Sequence, residues 1–148
     1  MQDNTRLRKA TIKDKKDILK IINFLYLENI PDFVWGDESF IEKQIEKGEY
    51  FVAEIDNKIV GIISFKQREN RMYIETIAVL EEYRSQGIGS QLIEFAKRFT
   101  KENGLNILRV CSFCEYNAQE FYLNKGFSLF DKLGSYENHK YHRFEIKL

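Results

Sequence analysis

The stretch RMYIETIAVLEEYRSQGIGS, residues 71–90, decides the fold of this 148-residue chain. Its first part alternates side chains on two faces, which is the pattern of a β-strand. A charged turn follows, and Gly87 and Gly89 then stand where a new helical pattern begins. The stretch therefore predicts a strand, a loop and a helix in direct succession.

The loop has the composition of a phosphate-binding turn. Gly87 and Gly89 let the backbone approach a ligand, and the first N–H groups of the following helix have no partner within it. Arg84 and Gln86 can add side-chain donors. The alternative is a plain strand-to-helix turn. Leu92 stands where a dinucleotide-binding fingerprint needs a third small residue, and the chain has no Gly-Lys-Ser/Thr of a P-loop.

The composition restricts the classes of partner. Lys plus Arg and Asp plus Glu both number 23, so the zero net charge predicts no nucleic-acid partner and no anionic membrane surface. No apolar run approaches the length of a membrane span or a leader, and we expect a cytoplasmic protein. Cys111 and Cys114 are interpreted as reduced, structural residues. With only His139 and His142 as further candidate ligands, we predict no metal site.

The periodicity predicts one domain over residues 1–148, with an α/β (α+β) fold. Its sheet is mixed, mostly antiparallel and about seven-stranded, with helices on both faces. Thr11 and Asp14 mark a helix start, and Asp56-Asn57-Lys58 marks a hairpin turn. The nearly continuous apolar run of strand five predicts burial on both faces. Gly134-Ser135 is predicted to form the turn between the last two strands. The predicted strands cover residues 7–10, 50–55, 59–65, 72–79, 107–113, 127–133 and 141–147, and the predicted helices cover 11–27, 38–47, 88–103 and 118–124.

Two stretches resemble motifs of one known family. The segment from Val79 to Ser90, with its Arg-x-x-Gly-x-Gly core at 84–89, resembles the acetyl-CoA-binding motif of the GNAT superfamily of N-acetyltransferases. The segment Asn117-Ala118-x-x-Phe121-Tyr122-x-x-x-Gly126-Phe127 resembles the signature that follows strand five in that family. The two motifs and the element order together cover nearly the whole chain.

The resemblance implies acetyl-CoA as cosubstrate and a sheet splayed between strands four and five. The pantetheine arm would pair with the strand-four backbone at Ile77, Ala78 and Val79. Asn117 would bind the arm from the other side, with a helix N-cap as its alternative role. The backbone amides of 86–90 would surround the pyrophosphate beside Arg84. The loop residues implied in binding are Arg84, Ser85, Gln86, Gly87, Ile88, Gly89 and Ser90.

Glu75 is the candidate general base. It is the only acid within strand four, and alternation places it on the face of Tyr73, Ile77 and Val79, where a raised pKa is expected. The sequence Tyr73-Ile74-Glu75 also resembles that of spermidine/spermine N-acetyltransferases, where the matching glutamate is credited with this role. The alternative is an ion pair with a basic residue on a neighbouring strand.

Tyr122 matches the position of the general acid in the resembled family. A phenol is protonated at neutral pH and can donate to a departing thiolate, whereas the alternative is simple aromatic packing. The resemblance also implies direct attack of the amine in a ternary complex, with a backbone N–H near Ile77 polarising the thioester carbonyl.

The resemblance places the acceptor between the segment that follows helix one and the last two strands. Acids and aromatics in the first wall suit a cationic primary amine, a polyamine or a peptide amine, and a solvated acidic loop is the alternative. An acyl-CoA-binding sensor and a partner-binding module are the competing functions, and a homodimer through strand edges stays open. The first wall carries Glu28, Asp32, Phe33, Trp35, Asp37 and Glu38, and the second wall carries Tyr136, Glu137, His139, Tyr141 and His142.

Overall fold

The computed structural model describes residues 4–25 and 37–148. The described helices are α1 (Lys15–Ile22), α2 (Glu38–Glu46), α3 (Ile88–Glu102) and α4 (Gln119–Asn124). The strands are β1 (Arg6–Lys9), β2 (Tyr50–Ile55), β3 (Lys58–Arg68), β4 (Arg71–Val79), β5 (Ile107–Phe113), β6 (Ser128–Leu129), β7 (Gly134–Tyr136) and β8 (His139–Lys147).

The strands form one sheet in the order β1-β2-β3-β4-β5-β8-β6, with β7 paired to β8. The β4–β5 pair is parallel, and the pairs β1–β2, β2–β3, β5–β8, β6–β8 and β7–β8 are antiparallel. The predicted mixed, mostly antiparallel α/β fold is therefore confirmed, although the described chain has eight strands rather than about seven.

The chain divides into two compact units. The first comprises the described residues up to Phe65 together with Glu75–Leu92, and the second comprises Lys66–Ile74 and Ile93–Leu148. In the first unit, the fully buried side chains come mainly from α1, α2, β2 and β3, and include Ile18, Ile22, Ile41, Ile62 and Phe65. In the second unit, β5, α4 and β8 contribute Leu108, Val110, Tyr122 and Phe144.

Local sequence signals explain several boundaries. The Thr11 N–H donates to Asp14 Oδ2 at 2.7 Å, which confirms the predicted helix start. Asp56 and Asn57 adopt positive φ at the β2–β3 turn, and Gly48 and Gly104 do so after α2 and α3. After α1, a 3-10 turn covers Asn23–Leu25, and the rest of the predicted first helix lies outside the described residues.

Two predictions about the second unit are wrong. Strand β5 is not buried on both faces, since buried residues alternate with half-buried ones and Cys111 is exposed. The final turn lies at Glu137 and Asn138, both with positive φ, and not at Gly134. Gly134 is instead the first residue of β7, where it pairs with Tyr141 and a Cβ would collide with the Tyr141 ring.

Candidate functional site

The glycine-spaced loop joins β4 directly to α3. A 3-10 turn at Glu81–Tyr83 is followed by Ser85 with φ 63° and Gly87 with φ 84°. The first hydrogen bond of α3 runs from the Gln91 N–H to the Gly87 carbonyl at 3.0 Å. The N–H groups of residues 88–90 therefore precede the helical ladder, as an anion-binding helix start requires.

The loop is fixed to the first unit by its own backbone and side chains. The Leu80 N–H donates to the Val60 carbonyl at 2.8 Å. The Arg84 Nε–H donates to the Val79 carbonyl at 3.2 Å, and Gln86 donates to the Glu82 carbonyl at 3.3 Å. A guanidinium has five N–H donors, so exposed Arg84 keeps further donors for an anion after this bond.

The first turn of α3 packs closely on β3. Ile88 is buried, and a Cβ at Gly61 would lie 3.4 Å from Ile88 Cγ2, Leu92 Cδ1 and the Ala78 carbonyl oxygen. The glycine therefore allows the helix start to approach the strand. This packing holds the loop in a defined conformation, which an anion site built from backbone N–H groups needs.

Strand β4 runs beyond its pairing with β5. The parallel register covers only Met72 with Leu108, Tyr73 with Arg109 and Ile74 with Val110, whereas β4 continues to Val79. The prediction placed the splay between these two strands. Residues Glu75, Ile77 and Val79 are half-buried on one face and alternate with buried Thr76 and Ala78 on the other.

In the second unit, Asn117 is not the N-cap of α4. It is exposed and adopts the left-handed conformation, with φ 52° and ψ 44°, at the end of a 3-10 turn over Cys114–Tyr116. Ala118 precedes α4 without a side-chain cap. An asparagine tolerates this conformation better than most residues, so its identity here fits the turn.

Tyr122 lies in the aromatic core of the second unit. Only 4% of the residue is exposed, and its ring centroid lies 4.9 Å from that of Phe144 and 5.7 Å from that of Phe127. Burial raises the pKa of the Tyr122 phenol above its ordinary value. The hydroxyl therefore stays protonated at neutral pH.

The predicted acceptor walls are only partly described. Glu28, Asp32, Phe33 and Trp35 lie outside the described residues. Asp37 accepts a hydrogen bond from the Phe40 N–H at 2.9 Å and is the N-cap of α2, which explains this acid by helix capping.

In the second wall, several aromatic side chains pack around Phe113. The rings of Tyr116, His139 and Tyr141 meet the Phe113 ring edge to face, with centroids 5.7, 5.9 and 6.0 Å away. His139 pairs with Glu115, and this hydrogen bond lowers the pKa of the glutamate.

Cys111 and Cys114 are exposed and form no disulfide, and Cys114 Sγ lies 3.7 Å from His142 Nδ1. Among residues 4–25 and 37–148, no group of three or more His, Cys, Asp or Glu side chains is arranged to hold a metal ion. None of the described helices is long and apolar enough to cross a bilayer.

The predicted site residues divide between the units. Glu75, Ile77, Ala78, Val79 and the loop from Arg84 to Ser90 belong to the first unit, and Asn117 and Tyr122 belong to the second. Within the first unit, the structure places the candidate base on the strand that leads into the predicted phosphate loop.

Sequence reasoning missed an arginine network in the second unit. Arg109 on β5 is in register with Tyr73 on β4 and Glu145 on β8. Its Nε–H donates to Glu145 Oε2 at 2.7 Å, and its Nη1–H donates to the Tyr73 hydroxyl oxygen at 3.2 Å. The available signal was a charged residue in the apolar run of β5, which indicates a polar or charged partner on a neighbouring strand.

Comparison with known proteins identifies a family. Residues 18–127 match the model of the Acetyltransferase (GNAT) family. The chain is 30% identical to an N-alpha-acetyltransferase of Saccharolobus solfataricus, across 95% of this chain and 81% of that protein. It is 31% identical to an N-alpha-acetyltransferase of Sulfurisphaera tokodaii, across 87% and 78%.

The fold has a close counterpart among solved structures. The PaiA N-acetyltransferase of Thermoplasma acidophilum, solved in complex with coenzyme A, superimposes with a TM-score of 0.82 over the whole of both chains at 19% identity.

Proposed function

We propose that this chain, which belongs to the GNAT family and is an acetyl-CoA-dependent N-acetyltransferase, acetylates the α-amine of a peptide or amino-acid-like acceptor. The observation that carries the proposal is the loop of the first unit. Its left-handed Ser85 and Gly87 precede the N–H groups at the start of α3, a geometry that suits a pyrophosphate. The curated relatives carry the name N-alpha-acetyltransferase, which favours an α-amine over a polyamine.

In this proposal, the loop binds the anionic end of acetyl-CoA. The amides of Gln86, Gly87, Ile88, Gly89 and Ser90 are the pyrophosphate donors, with Ser85 shaping the turn and Arg84 adding charge-assisted bonds. The strand-four backbone at Ile77, Ala78 and Val79 pairs with the pantetheine, to which Asn117 adds a polar contact. Acetyl-CoA supplies the acetyl group as an activated thioester.

Glu75 is proposed to take the proton of the attacking amine, directly or through one water. A protonated amine has no lone pair for attack, so a base is required at neutral pH. Glu75 lies half-buried on the β4 face, where a carboxylate can contact a ligand.

Tyr122 is proposed to donate to the sulfur as the carbon–sulfur bond breaks. Because burial raises its pKa, the phenol is a weak acid, and it contributes mainly a hydrogen bond that strengthens as charge develops on sulfur. The new amide forms by direct attack, without an acetylated enzyme.

The first test measures acetyl-CoA-dependent thiol release with N-terminal peptides, amino acid amides, polyamines and aminoglycosides, beside calorimetric coenzyme A binding. We expect turnover on the peptides. Tight coenzyme A binding without turnover on any amine would favour a sensor, and no coenzyme A binding would contradict the assignment of residues 84–90.

Tyr122→Phe tests the proposed acid. We expect turnover to fall by roughly 10²-fold, the lower end of general-acid effects, with coenzyme A affinity nearly unchanged. Tyr116→Phe is the matched control, because it removes a hydroxyl from another tyrosine of the same unit whose pKa burial raises. Equal loss in both variants would remove Tyr122 from the mechanism.

A further inference from the structure

In the second unit, the thiol of Cys114 is in contact with an imidazole. Cys114 opens the 3-10 turn that follows β5, and its Sγ lies 3.7 Å from His142 Nδ1 on β8. A thiol is a weak hydrogen-bond donor, and a neutral imidazole has one nitrogen that accepts. A nucleophile in contact with a base is activated, because the base takes the thiol proton as the sulfur attacks.

Both partners of this contact are held by neighbouring structure. The Asn117 N–H donates to the Cys114 carbonyl at 3.0 Å, which closes the turn that carries the thiol. His142 stands opposite Ser112 in the register of β5 and β8, and its ring centroid lies 5.9 Å from that of the fully buried Phe144. The sheet and the aromatic core of the same unit therefore fix the position of the imidazole.

The other histidine of the chain holds the same turn against β8. Glu115 directly follows Cys114, and its carboxylate pairs with His139. Two successive residues of the turn thus contact the only two histidines in the sequence, both on one strand. This second contact keeps the turn next to the strand that carries His142.

The thiol is also accessible to a reagent. Cys114 is exposed and forms no disulfide, whereas buried structural cysteines are inert. Cys111 is exposed as well, but it stands opposite Arg143 on β8 and not opposite a histidine. Exposure therefore does not distinguish the two cysteines, and Cys111 is a suitable comparison for the effect of the imidazole.

We propose that Cys114, with His142 as its base, is a site of reversible covalent modification by low-molecular-weight disulfides. The Cys114 sulfur attacks one sulfur of the disulfide while His142 takes the thiol proton. A new sulfur–sulfur bond forms, the bond within the reagent breaks, and the departing thiolate takes the proton to become a free thiol. The exchange needs no oxidant other than the disulfide, and it does not depend on the proposed function.

The experiment measures the rate of mixed-disulfide formation in two variants of the whole chain, each with a single thiol. Cys111→Ser keeps Cys114, and Cys114→Ser keeps Cys111, so the two cysteines cannot pair with each other. The reagent is 2-hydroxyethyl disulfide, which is uncharged and is not steered by charged side chains near either thiol. Protein mass follows the reaction at pH 7, both in the folded state and in urea that unfolds the chain.

We expect folded Cys114 to react roughly tenfold faster than the same thiol in urea, because a free cysteine is only a few per cent thiolate at pH 7 and the base supplies the activation. Exposure alone cannot produce this result, since the unfolded thiol is fully exposed. Cys111 should react no faster in the folded state than in urea. Adding His142→Asn to Cys111→Ser should lower the folded rate of Cys114 to the urea rate.

His139→Asn, also added to Cys111→Ser, is the matched control. It removes the other histidine of β8 and a contact of the same turn, and the folded Cys114 should still react faster than in urea. Circular dichroism confirms that each variant is folded. The comparison of folded and urea rates requires no change at His142, so it decides the question even where that variant does not fold.

Four outcomes overturn the inference. A folded Cys114 that reacts no faster than in urea would show that the thiol is not activated. An equal acceleration at Cys111 would show that the imidazole is not its cause. An unchanged rate in folded His142→Asn would show that His142 is not the base. A complete loss of the acceleration in His139→Asn would show that the order of the turn, and not the contact with His142, sets the rate.

Discussion

The two units of the protein each hold an arginine that binds two side chains, but the partners differ in kind. In the first unit, Arg8 binds Asp14 through two bonds of 2.8 and 3.0 Å and Glu54 at 3.3 Å. In the second unit, Arg109 binds one carboxylate and one phenol. Arg8 thus has two anionic partners, whereas one partner of Arg109 is neutral and keeps a proton to donate.

The pKa directions reflect the same difference. The hydrogen bond that Arg8 donates to Asp14 is the main reason that the pKa of Arg8 rises, and it outweighs burial. For Arg109, burial is the largest single influence and acts to lower the pKa, while Tyr73 and Glu145 together raise it. We therefore expect both networks to stabilise their own unit, and the Arg8 network, with its two anionic partners, to contribute more.

The largest expected effect is that of Arg8→Met on stability. The change leaves Asp14 and Glu54 without their main cation, and their side chains are only 10% and 11% exposed. We expect the free energy of unfolding to fall by about 3–5 kcal/mol, measured by urea denaturation at pH 7. Acetylation per folded molecule should stay unchanged. A loss below about 1 kcal/mol would mean that the pair behaves like a surface salt bridge.

Arg109→Met should destabilise the protein less than Arg8→Met does, because it leaves one carboxylate rather than two without its main cation. We expect a loss of about 1–3 kcal/mol in the same urea assay. A loss equal to that of Arg8→Met would show that the number of carboxylate partners does not set the size of the destabilisation.

Local signals in the sequence predicted much of this architecture. The three-residue spacing of Thr11 and Asp14 indicated the helix start, and the change from strand to helical pattern around Gly87 indicated the loop. Both features depend on residues close together in the chain, so the sequence alone was sufficient to predict them. The positions of Glu75 and of the loop on β4 and α3 follow from the same patterns, whereas their chemical roles stay predictions.

The arginine networks depend on register, which the local pattern does not specify. Arg109 and Tyr73 are 36 residues apart and meet only because β4 and β5 are parallel in one particular alignment. The predicted position of the last turn was wrong for a related reason. Gly134 suggested a turn, but it is a glycine because the Tyr141 ring from the paired strand covers it.

Acid should weaken the Arg8 network in a defined pH range. The hydrogen bond from Arg8 holds the pKa of Asp14 below its ordinary value of 3.8. A lowered folded-state pKa means that this stability is present above the unfolded pKa and is lost as the pH falls through the folded one. The free energy of unfolding of wild type should therefore exceed that of Asp14→Asn at pH 6, and the difference should shrink below about pH 4.

Each pH unit between the two pKa values of Asp14 corresponds to about 1.4 kcal/mol of this difference. Urea midpoints from pH 2.5 to 7 would measure it, with Arg8→Met as the second variant. Parallel curves for wild type and Asp14→Asn would show that Asp14 does not titrate as a partner of Arg8.

The smallest expected effect is that of Tyr73→Phe on stability, and it decides between the two kinds of network. The phenylalanine keeps the ring that stacks with Arg68, and Arg109 keeps its bonds to Glu145. The lost hydroxyl accepted one N–H bond, so the free energy of unfolding should fall by less than about 1 kcal/mol. A destabilisation as large as that of Arg109→Met would place Tyr73 in a structural network like that of Arg8.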